Sequence, residues 1–370
     1  MSEKVLNVGV VGVGGIAQMM HLPTLAERPD WFKIVALADV DQPSLQAVGA
    51  RYGVTSLHPD VKSMLATPGL DAVMLCQSGS HAKAAIEVLK AKKHLFVEKP
   101  LGMDLRETEE VEGELRKSLG VTCMVGYHKR YDPAIVRARE AIKALGELRY
   151  VEVTVLHPDD GAYRTHHAVL PIRERKPVPE PLDRAGLVKE VTTGSLAPHM
   201  ALVCDANAPT EHKVAAFLLS ISLIHDLDLL RSFLGEPEGV ISAHVWQDGF
   251  AQSALIRFTE HVRANVSWVS VPGLKHYEER LRFVSSTGRV TLTFPSPYLR
   301  HFPTPFEIER MDGDELVIEQ RTISFEEAFR AELYHFRESV LGGTEPHTNI
   351  RDALGDARLI QAIARKYGTP

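Results

Sequence analysis

The sequence predicts an α/β protein with a doubly wound parallel sheet, followed by an α+β domain with an open, mostly antiparallel sheet. Its 370 residues exceed what one hydrophobic core usually holds, which favours two domains. Up to residue 125, continuous apolar runs alternate with helical stretches, as in parallel strands that are buried on both faces. Farther along, apolar and polar residues alternate at period two, which is typical of half-exposed antiparallel strands.

The composition argues against several other classes of protein. Hydrophobic residues make up 44% and charged residues 24%, which is typical of a folded chain. The formal net charge of −6 disfavours a broad nucleic-acid surface. The three cysteines have no C-x-x-C spacing, and the longest early apolar run, residues 5–17, is too short to span a bilayer. We therefore expect a cytoplasmic protein with neither a membrane nor a nucleic-acid partner.

The first domain is expected over residues 1–126. Its predicted strands are VLNVGVV, IVALAD, DAVMLC, HLFVE and VTCMV, and a helical stretch follows each of the first four. Because strands separated by helices are joined by parallel crossovers, these segments predict one parallel sheet with helices on both faces.

The second domain is expected over residues 127–370. Asp132 and Pro133 predict the start of a helix that ends at Gly146. RYVEVTVL, VISAHVWQ, SALIRFTE and VRANVSWVS predict strands, and LRFVSSTGRVTLTF predicts a hairpin. The outer face of this sheet would be available for a homodimer or homotetramer.

Two other parts of the second domain differ from these strands. Residues 326–340 and 352–367 predict terminal helices that pack back on the body of the protein. The proline-rich stretch 158–209 has no sustained period and predicts an irregular insertion.

The segment between the first strand and its helix reads G-x-G-x-x-A. Gly12 permits a tight turn, Gly14 lets the backbone approach a pyrophosphate, and Ala17 allows close helix packing. Asp39 ends the second strand, where a carboxylate can accept hydrogen bonds from an adenosine ribose. Because this carboxylate would repel a 2′-phosphate, NAD is favoured over NADP. The residues of this region expected to hold NAD are Gly12, Gly14, Gly15, Ile16 and Asp39.

Four further segments combine with this loop. Glu98-Lys99-Pro100 follows the strand HLFVE, and GYHKRYDP occupies residues 126–133. HDLD lies at 225–228 and PHTNIRDAL at 346–354. Together they resemble the Gfo/Idh/MocA oxidoreductases, sugar and cyclitol dehydrogenases of the glucose–fructose oxidoreductase type. The E-K-P segment is the most specific part of the resemblance, which covers nearly the whole chain except about residues 158–213.

Lys99 and His225 are the candidate catalytic residues. A hydride leaves a secondary alcohol only as the hydroxyl proton is withdrawn, which requires a base and a cation beside the nicotinamide. Burial can lower the pKa of Lys99 enough for both tasks, and His225 is a near-neutral acid or base. The resemblance places Lys99 beside the nicotinamide ribose and substrate, implies a cis Lys99–Pro100 bond, and places Glu98 in the cofactor cleft. The alternatives are a surface lysine before a turn and a histidine satisfied within its helix.

Several other residues are candidate ligands of the cofactor or substrate. The resemblance places His81 near the nicotinamide, although this histidine could equally be a surface residue at the start of a helix. The junction after the first domain and the insertion supply the candidate substrate contacts, which could instead be structural. The additional cofactor candidates are Ser78, His81, Glu98 and Lys99, and the substrate candidates are Tyr127, His128, Arg130, Tyr163 and His166.

The chain departs from the family pattern around the active-site histidine. The family has an aspartate four residues before this histidine, where the present sequence has Ile221. Asp226 and Asp228 do not replace it, because a helix directs them away from His225. The insertion is rich in polar residues and is read as a polar loop or a substrate-contacting lid; metal ligation is disfavoured because the spacing matches no established site. These polar residues are His157, Asp159, Asp160, Tyr163, His166 and His167.

We therefore expect an NAD-dependent oxidoreductase that acts on a secondary alcohol of a sugar, a sugar derivative or a cyclitol. Two other functions stay open at this point. A non-catalytic NAD-dependent binding or regulatory protein is favoured by Ile221 but opposed by the presence of Lys99 and His225. An enzyme that uses tightly bound NAD for a net non-redox reaction would also fit these residues.

Overall fold

The computed structural model describes residues 4–158, 161–171 and 183–368. The described chain forms two compact units. The first comprises residues 4–128, 165–171 and 329–354, and the second comprises 129–158, 161–164, 183–328 and 355–368. Among these residues, no helix combines the length and the apolar character needed to cross a membrane.

A six-stranded parallel sheet forms the centre of the first unit. Its strands are β1 (Leu6–Val11), β2 (Phe32–Ala38), β3 (Leu57–His58), β4 (Ala72–Leu75), β5 (His94–Glu98) and β6 (Cys123–Gly126). They run in the order β3-β2-β1-β4-β5-β6, so the order reverses between β1 and β4. Every residue of β4 and β6 is buried, as expected for strands covered on both faces. The prediction of a doubly wound parallel sheet is confirmed.

Helices connect these strands. They are a π-helical turn (Ala17–His21), α1 (Leu22–Glu27), α2 (Gln42–Tyr52), α3 (Val61–Met64), α4 (Ala82–Lys90) and α5 (Leu105–Leu115). Aspartates cap two of them: Asp60 accepts a hydrogen bond from the Ser63 amide at 2.7 Å, and Asp104 accepts one from the Glu107 amide at 3.0 Å. A 3₁₀ turn, His128–Tyr131, follows β6.

A late segment of the chain packs in the first unit. Helix α12 (Ala328–Gly342) contributes Phe336, whose ring meets Phe96 edge-on at 5.7 Å. Thr348 donates its hydroxyl to the carbonyl of Val125 at 2.7 Å. The first unit thus includes residues 165–171 and 329–354, which the predicted division at residue 126 assigns to the second domain. The domain division itself stays a prediction.

An eight-stranded sheet forms the centre of the second unit. Its strands are β7 (Leu148–His157), β8 (Gly239–Trp246), β9 (Ala251–Arg257), β10 (Arg263–Ser270), β11 (Glu278–Ser285), β12 (Gly288–Phe294), β13 (Phe306–Asp312) and β14 (Glu315–Arg321). The order is β14-β13-β12-β11-β7-β10-β9-β8, with β7 and β10 parallel and the other pairs antiparallel. The prediction of a mostly antiparallel sheet is confirmed, as is the β11–β12 hairpin.

Helices of the second unit precede and interrupt this sheet. They are α6 (Pro133–Ala144), α7 (Gly161–Arg164), α8 (Arg184–Thr192), α9 (Ala197–Val203), α10 (Thr210–Leu218), a π-helical turn (Leu219–Leu223) and α11 (Ile224–Leu234). A 3₁₀ turn (Gln247–Gly249) lies between β8 and β9. Helix α13 (Ile350–Ala364) follows the sheet in sequence, with residues 350–354 in the first unit and 355–364 in the second. Asp132 caps α6 through the amide of Ala134 at 2.8 Å, and Gly146 follows at φ 71°, which confirms the predicted bounds.

Two features of the second unit differ from the sequence prediction. Helices α8 and α9 lie within the stretch 158–209, for which no period was apparent; α8 buries only Val191, so its apolar face is too narrow to produce one. The hairpin β13–β14 was not predicted. Most of its residues are exposed or half-buried, so it lacks clear apolar alternation, although Asp312-Gly313 is a recognised turn signal.

Candidate cofactor and substrate sites

The glycine loop has the geometry of a dinucleotide-binding turn. Gly12 has φ 83°, and a Cβ on it would lie 2.4 Å from the backbone nitrogen of Gln77, so only glycine fits. A Cβ on Gly14, by contrast, would meet nothing within 4 Å, because this exposed residue borders open space. Gly15 and Ile16 form the first helical turn behind it. The loop therefore leaves room for a phosphate group beside Gly14, at the start of the helix.

Asp39 lies directly beside this loop. Its Oδ2 accepts a hydrogen bond from the Val13 amide at 2.7 Å, and its Oδ1 accepts one from the Asp41 amide at 2.8 Å. The side chain is half-buried. Since each carboxylate oxygen can accept more than one hydrogen bond, Asp39 can still receive ribose hydroxyls. The residues present thus fit an adenosine dinucleotide.

Glu98, Lys99 and Pro100 lie at the carboxyl end of β5. The Lys99–Pro100 peptide bond is cis, as the family resemblance implies. Burial lowers the pKa of the Lys99 ammonium, while the negative charge of Glu98 acts in the opposite direction. Ligands bind at this edge in open α/β sheets, so Lys99 lies where a ligand is expected.

His21 is a partner of Glu98 that the sequence analysis did not single out. Its Nε2 lies 2.7 Å from Glu98 Oε1, and its ring meets Phe96 and Phe329 edge-on at 5.4 and 5.6 Å. Burial alone would raise the pKa of Glu98, but the hydrogen bond from His21 and the nearby charge of Lys99 lower it overall. Glu98 is therefore held as a buried anion next to Lys99. A histidine within the apolar run MMHLPTLA was the only available signal for His21.

His81 contacts the turn that contains Lys99 and Pro100. It is the N-cap residue of α4 and is 2% exposed, and its Nδ1 lies 2.7 Å from the carbonyl oxygen of Pro100. Burial lowers the pKa of His81, so the neutral ring is favoured and the carbonyl selects the tautomer protonated at Nδ1. Ser78 is exposed in the loop before this helix. His81 thus positions the cis-proline turn that carries Lys99.

The HDLD segment lies in the second unit, where its three polar residues have different surroundings. His225 is half-buried at the start of α11, directly after the π-helical turn that contains Ile221. Asp226 is buried 3.4 Å from the Lys129 ammonium, and Asp228 is buried 3.1 Å from Arg130. These ion pairs agree with the expectation that neither aspartate replaces the missing family carboxylate.

Lys129 connects two buried carboxylates of the second unit. It forms ion pairs with Asp226 and with Glu279, and Glu279 also accepts a hydrogen bond from the Tyr277 hydroxyl at 2.5 Å. Burial raises the pKa of Asp226, and Lys129 acts against that rise. This network has no local sequence signal, because Lys129 on the 3₁₀ turn, Asp226 on α11 and Glu279 on β11 are far apart in sequence and meet only in the folded unit.

The junction residues predicted to contact substrate are engaged within the protein. Tyr127 is 1% exposed, and the ring of His128 stacks on Phe329 at 4.2 Å within the first unit. Arg130 belongs to the second unit and pairs with Asp228. Contact of these residues with substrate stays a prediction.

The predicted polar cluster of the insertion is divided in the structure. Tyr163 donates its hydroxyl to the Lys275 carbonyl and accepts the Tyr277 amide, both at 2.6 Å, so it anchors α7 to the loop before β11. His157 lies 5.6 Å from the rings of both Trp268 and Tyr277. His166 is exposed and His167 half-buried, both in a segment of the first unit. Asp159 and Asp160 lie outside the described residues.

The chain is similar to known oxidoreductases in sequence and in fold. The Gfo/Idh/MocA family, an oxidoreductase family with an NAD-binding Rossmann fold, matches residues 6–127. The myo-inositol 2-dehydrogenase of Thermotoga maritima is 30% identical over 77% of this chain and 74% of its own length. The uncharacterized oxidoreductase YrbE of Bacillus subtilis is 23% identical over 99% of this chain and 96% of its own.

A solved structure extends the similarity to the whole fold. The 3-ketoreductase of Actinomadura kijaniata in complex with NADP superposes with a TM-score of 0.72 at 19% identity, over 98% of each chain. The glycine loop, the E-K-P turn and the inositol dehydrogenase match together assign the chain to a family: it belongs to the Gfo/Idh/MocA oxidoreductases.

Proposed function

We propose that the protein transfers hydride between NAD and a secondary alcohol of a sugar, a sugar derivative or a cyclitol. The observation that carries this proposal is Lys99, whose pKa is lowered by burial at the carboxyl edge of β5. A lysine with a lowered pKa is neutral in a larger fraction of molecules at neutral pH and can accept a hydroxyl proton. The similarity to a myo-inositol 2-dehydrogenase supports an alcohol on a polyhydroxylated ring.

Alcohol oxidation requires two bonds of the carbinol to break. The O–H proton moves to the neutral amine of Lys99, and the C–H electron pair leaves as hydride while the carbonyl forms. Bound NAD⁺ would supply the hydride acceptor at C4 of its nicotinamide ring. In the reverse direction, the Lys99 ammonium returns the proton to the oxygen as the carbonyl is reduced.

The buried anion of Glu98 supports this role of Lys99. Its charge favours the ammonium form, which stabilises an alkoxide as the proton moves. His21 and His81 act as positioning residues, because they bind Glu98 and the Pro100 carbonyl rather than any reacting group. His225, in the second unit, is proposed as a second acid/base group.

The cofactor is proposed to be NAD rather than NADP. The carboxylate of Asp39 beside the glycine loop supports this choice, because it accepts hydroxyl groups and repels a 2′-phosphate. The similar 3-ketoreductase is in complex with NADP, so affinities for NADH and NADPH should be measured in parallel. We expect NADH to bind more tightly.

An alternative function is a non-catalytic NAD-dependent binding or regulatory protein. The observation that favours it is Ile221, which stands where the family pattern has an aspartate. This alternative predicts tight NAD binding with no redox substrate and a protein partner recovered by pull-down. An enzyme with permanently bound NAD would instead yield a product without accumulation of NADH.

A substrate panel tests the proposal directly. The protein is mixed with NAD⁺ and a panel of cyclitols and sugars, and NADH absorbance is followed. The corresponding ketones are assayed with NADH in the reverse direction. We expect turnover with at least one pair, whereas no reaction with any member in either direction would contradict the proposal.

The second sheet is proposed to mediate a homodimer or homotetramer. Its outermost strand, β14, exposes the apolar side chains of Leu316 and Ile318 at 58% and 56%. Met311 on the neighbouring β13 is exposed as well. An apolar patch on a sheet face is a common surface for self-association.

A further inference from the structure

We propose that residues 168–171, here called the strap, cover the adenosine half of the dinucleotide site and slow the release of the cofactor. Gln18 is the residue that positions this strap. The proposal rests on the proposed function only in requiring that a nicotinamide dinucleotide binds at the glycine loop. It assigns a role to a residue that neither the glycine motif nor the proposed chemistry uses.

Gln18 binds the strap and the glycine loop with one side-chain amide. Its Nε2 donates to the Leu170 carbonyl at 2.8 Å, and its Oε1 accepts the Leu170 amide at 2.7 Å. The same Nε2 donates to the carbonyl of Val13, in the loop itself, at 2.7 Å. Gln18 is only 5% exposed. Because a buried amide is costly when its hydrogen bonds are unmade, the docked strap is favoured.

A second contact holds the other end of the strap. Arg51 in the last turn of α2 donates from Nη1 to the Ala168 carbonyl at 2.8 Å. Arg51 is exposed, so its contact can be removed without disturbing a core. The strap therefore joins the helix that follows β1 to the helix that follows β2.

The first of these helices begins at the glycine loop, close to Gln18, and the second begins directly after Asp39 and Asp41. In such folds the pyrophosphate lies at the start of the first helix and the adenosine ribose at the carboxylate directly after the second strand, a position that Asp39 occupies here. The space beside Gly14 stays open while the strap is docked, since a Cβ there would meet nothing within 4 Å. The docked strap is thus compatible with an occupied phosphate site, and we infer that it encloses the cofactor rather than replacing it.

Release of NADH tests this inference. Protein loaded with NADH is mixed rapidly with excess NAD⁺, and the loss of NADH fluorescence gives the dissociation rate. Leu170→Pro removes the backbone N–H group that donates a hydrogen bond to Gln18 Oε1. Leu170→Ala is the matched control, because it keeps this N–H group. Gln18→Met and Arg51→Ala remove the side-chain groups that form hydrogen bonds with the strap. Melting temperatures show that each variant is folded, and Arg51→Ala keeps the test valid if a buried substitution unfolds the protein.

We expect NADH to dissociate roughly threefold to tenfold faster for each hydrogen bond lost, with Leu170→Ala close to the unaltered protein. Unchanged dissociation rates in Leu170→Pro, Gln18→Met and Arg51→Ala would overturn the proposed role of the strap. Turnover by the same samples would leave the proposed function intact. Tighter NADH binding in these variants would also overturn it, because the strap would then occupy the site. No nucleotide binding by the unaltered protein would overturn both proposals.

Discussion

At the scale of single residues, the ionisation of Lys99 depends on a small buried group of side chains. Glu98 was expected to line the cofactor cleft, yet its hydrogen bond to His21 and its charge beside Lys99 indicate an electrostatic role as well. The residues of the E-K-P turn could be identified from sequence because they are consecutive. His21 could not, because 77 residues separate it from Glu98.

Substitution of Lys99 tests the proposed base. Lys99→Ala should lower kcat for alcohol oxidation by about 10²–10⁴, because the hydroxyl proton loses its acceptor. NADH binding should stay measurable by fluorescence titration. Full activity of this variant would remove Lys99 from the mechanism.

Lys99→Arg is the matched control for charge. The guanidinium keeps the positive charge but stays protonated, so it cannot accept a proton. We therefore expect the arginine variant to be as defective in oxidation as the alanine variant. Rescue of Lys99→Ala by added methylamine, without rescue of Lys99→Arg, would separate the loss of a base from misfolding.

Glu98→Gln tests the coupling between Glu98 and Lys99. The negative charge of Glu98 raises the pKa of Lys99, so its removal should lower that pKa and increase the neutral amine at a given pH. The acid limb of the pH profile of kcat/KM for oxidation should move to lower pH, and the basic limb for reduction should move the same way. An unmoved profile in an active, folded variant would contradict the coupling.

At the scale of secondary-structure elements, the glycine loop could be predicted in full. Its motif, the preceding strand and the following helix are adjacent in sequence. The turn also requires a positive φ at Gly12, which glycine adopts readily. The insertion could not be predicted as well, because α8 and α9 bury few residues each. The hairpin β13–β14 lacks apolar alternation for the same physical reason: its side chains are largely exposed.

Gly12 and Gly14 provide a matched pair of substitutions. Gly12→Ala should destabilise the fold by at least about 2 kcal/mol, because its Cβ would collide with the backbone of Gln77 at positive φ. Gly14→Ala should leave the melting temperature nearly unchanged, since its Cβ would point into open space. It should nevertheless weaken NADH binding by at least roughly tenfold, because that space is proposed to hold the pyrophosphate. Equal NADH affinity in Gly14→Ala and the unaltered protein would contradict this placement.

At the scale of the whole molecule, the sequence was sufficient for the type of each sheet, although not for the strands β3, β13 and β14. It was not sufficient for the division of the chain between the units. Residues 329–354 belong to the first unit because contacts such as that of Thr348 with Val125 form between segments far apart in sequence. The Lys129 network depends on similar long-range packing. The periodicity of apolar residues along the sequence carries no information about the unit to which residues 329–354 belong or about the Lys129 network.

Self-association is the prediction that belongs to this scale. Sedimentation velocity should show a dimer or a tetramer, and the paired substitution Leu316→Glu with Ile318→Glu should shift the protein to a smaller species. Leu119→Glu is the control, because Leu119 is equally apolar and 87% exposed but lies in the first unit. A monomer in the unaltered protein would contradict the proposed interface.

The central claim is that hydride moves directly from a secondary alcohol to NAD⁺, and isotope transfer tests it most directly. The protein is incubated with NAD⁺ and a panel of cyclitols and sugars deuterated at their carbinol carbons, and the NADH is analysed by mass spectrometry and proton NMR. The account predicts NADH that carries one deuterium at C4 of the nicotinamide ring, and a rate of formation of this deuterated NADH that is about 10²–10⁴ lower with Lys99→Ala. NADH without deuterium, or no NADH with any member of the panel, would contradict it.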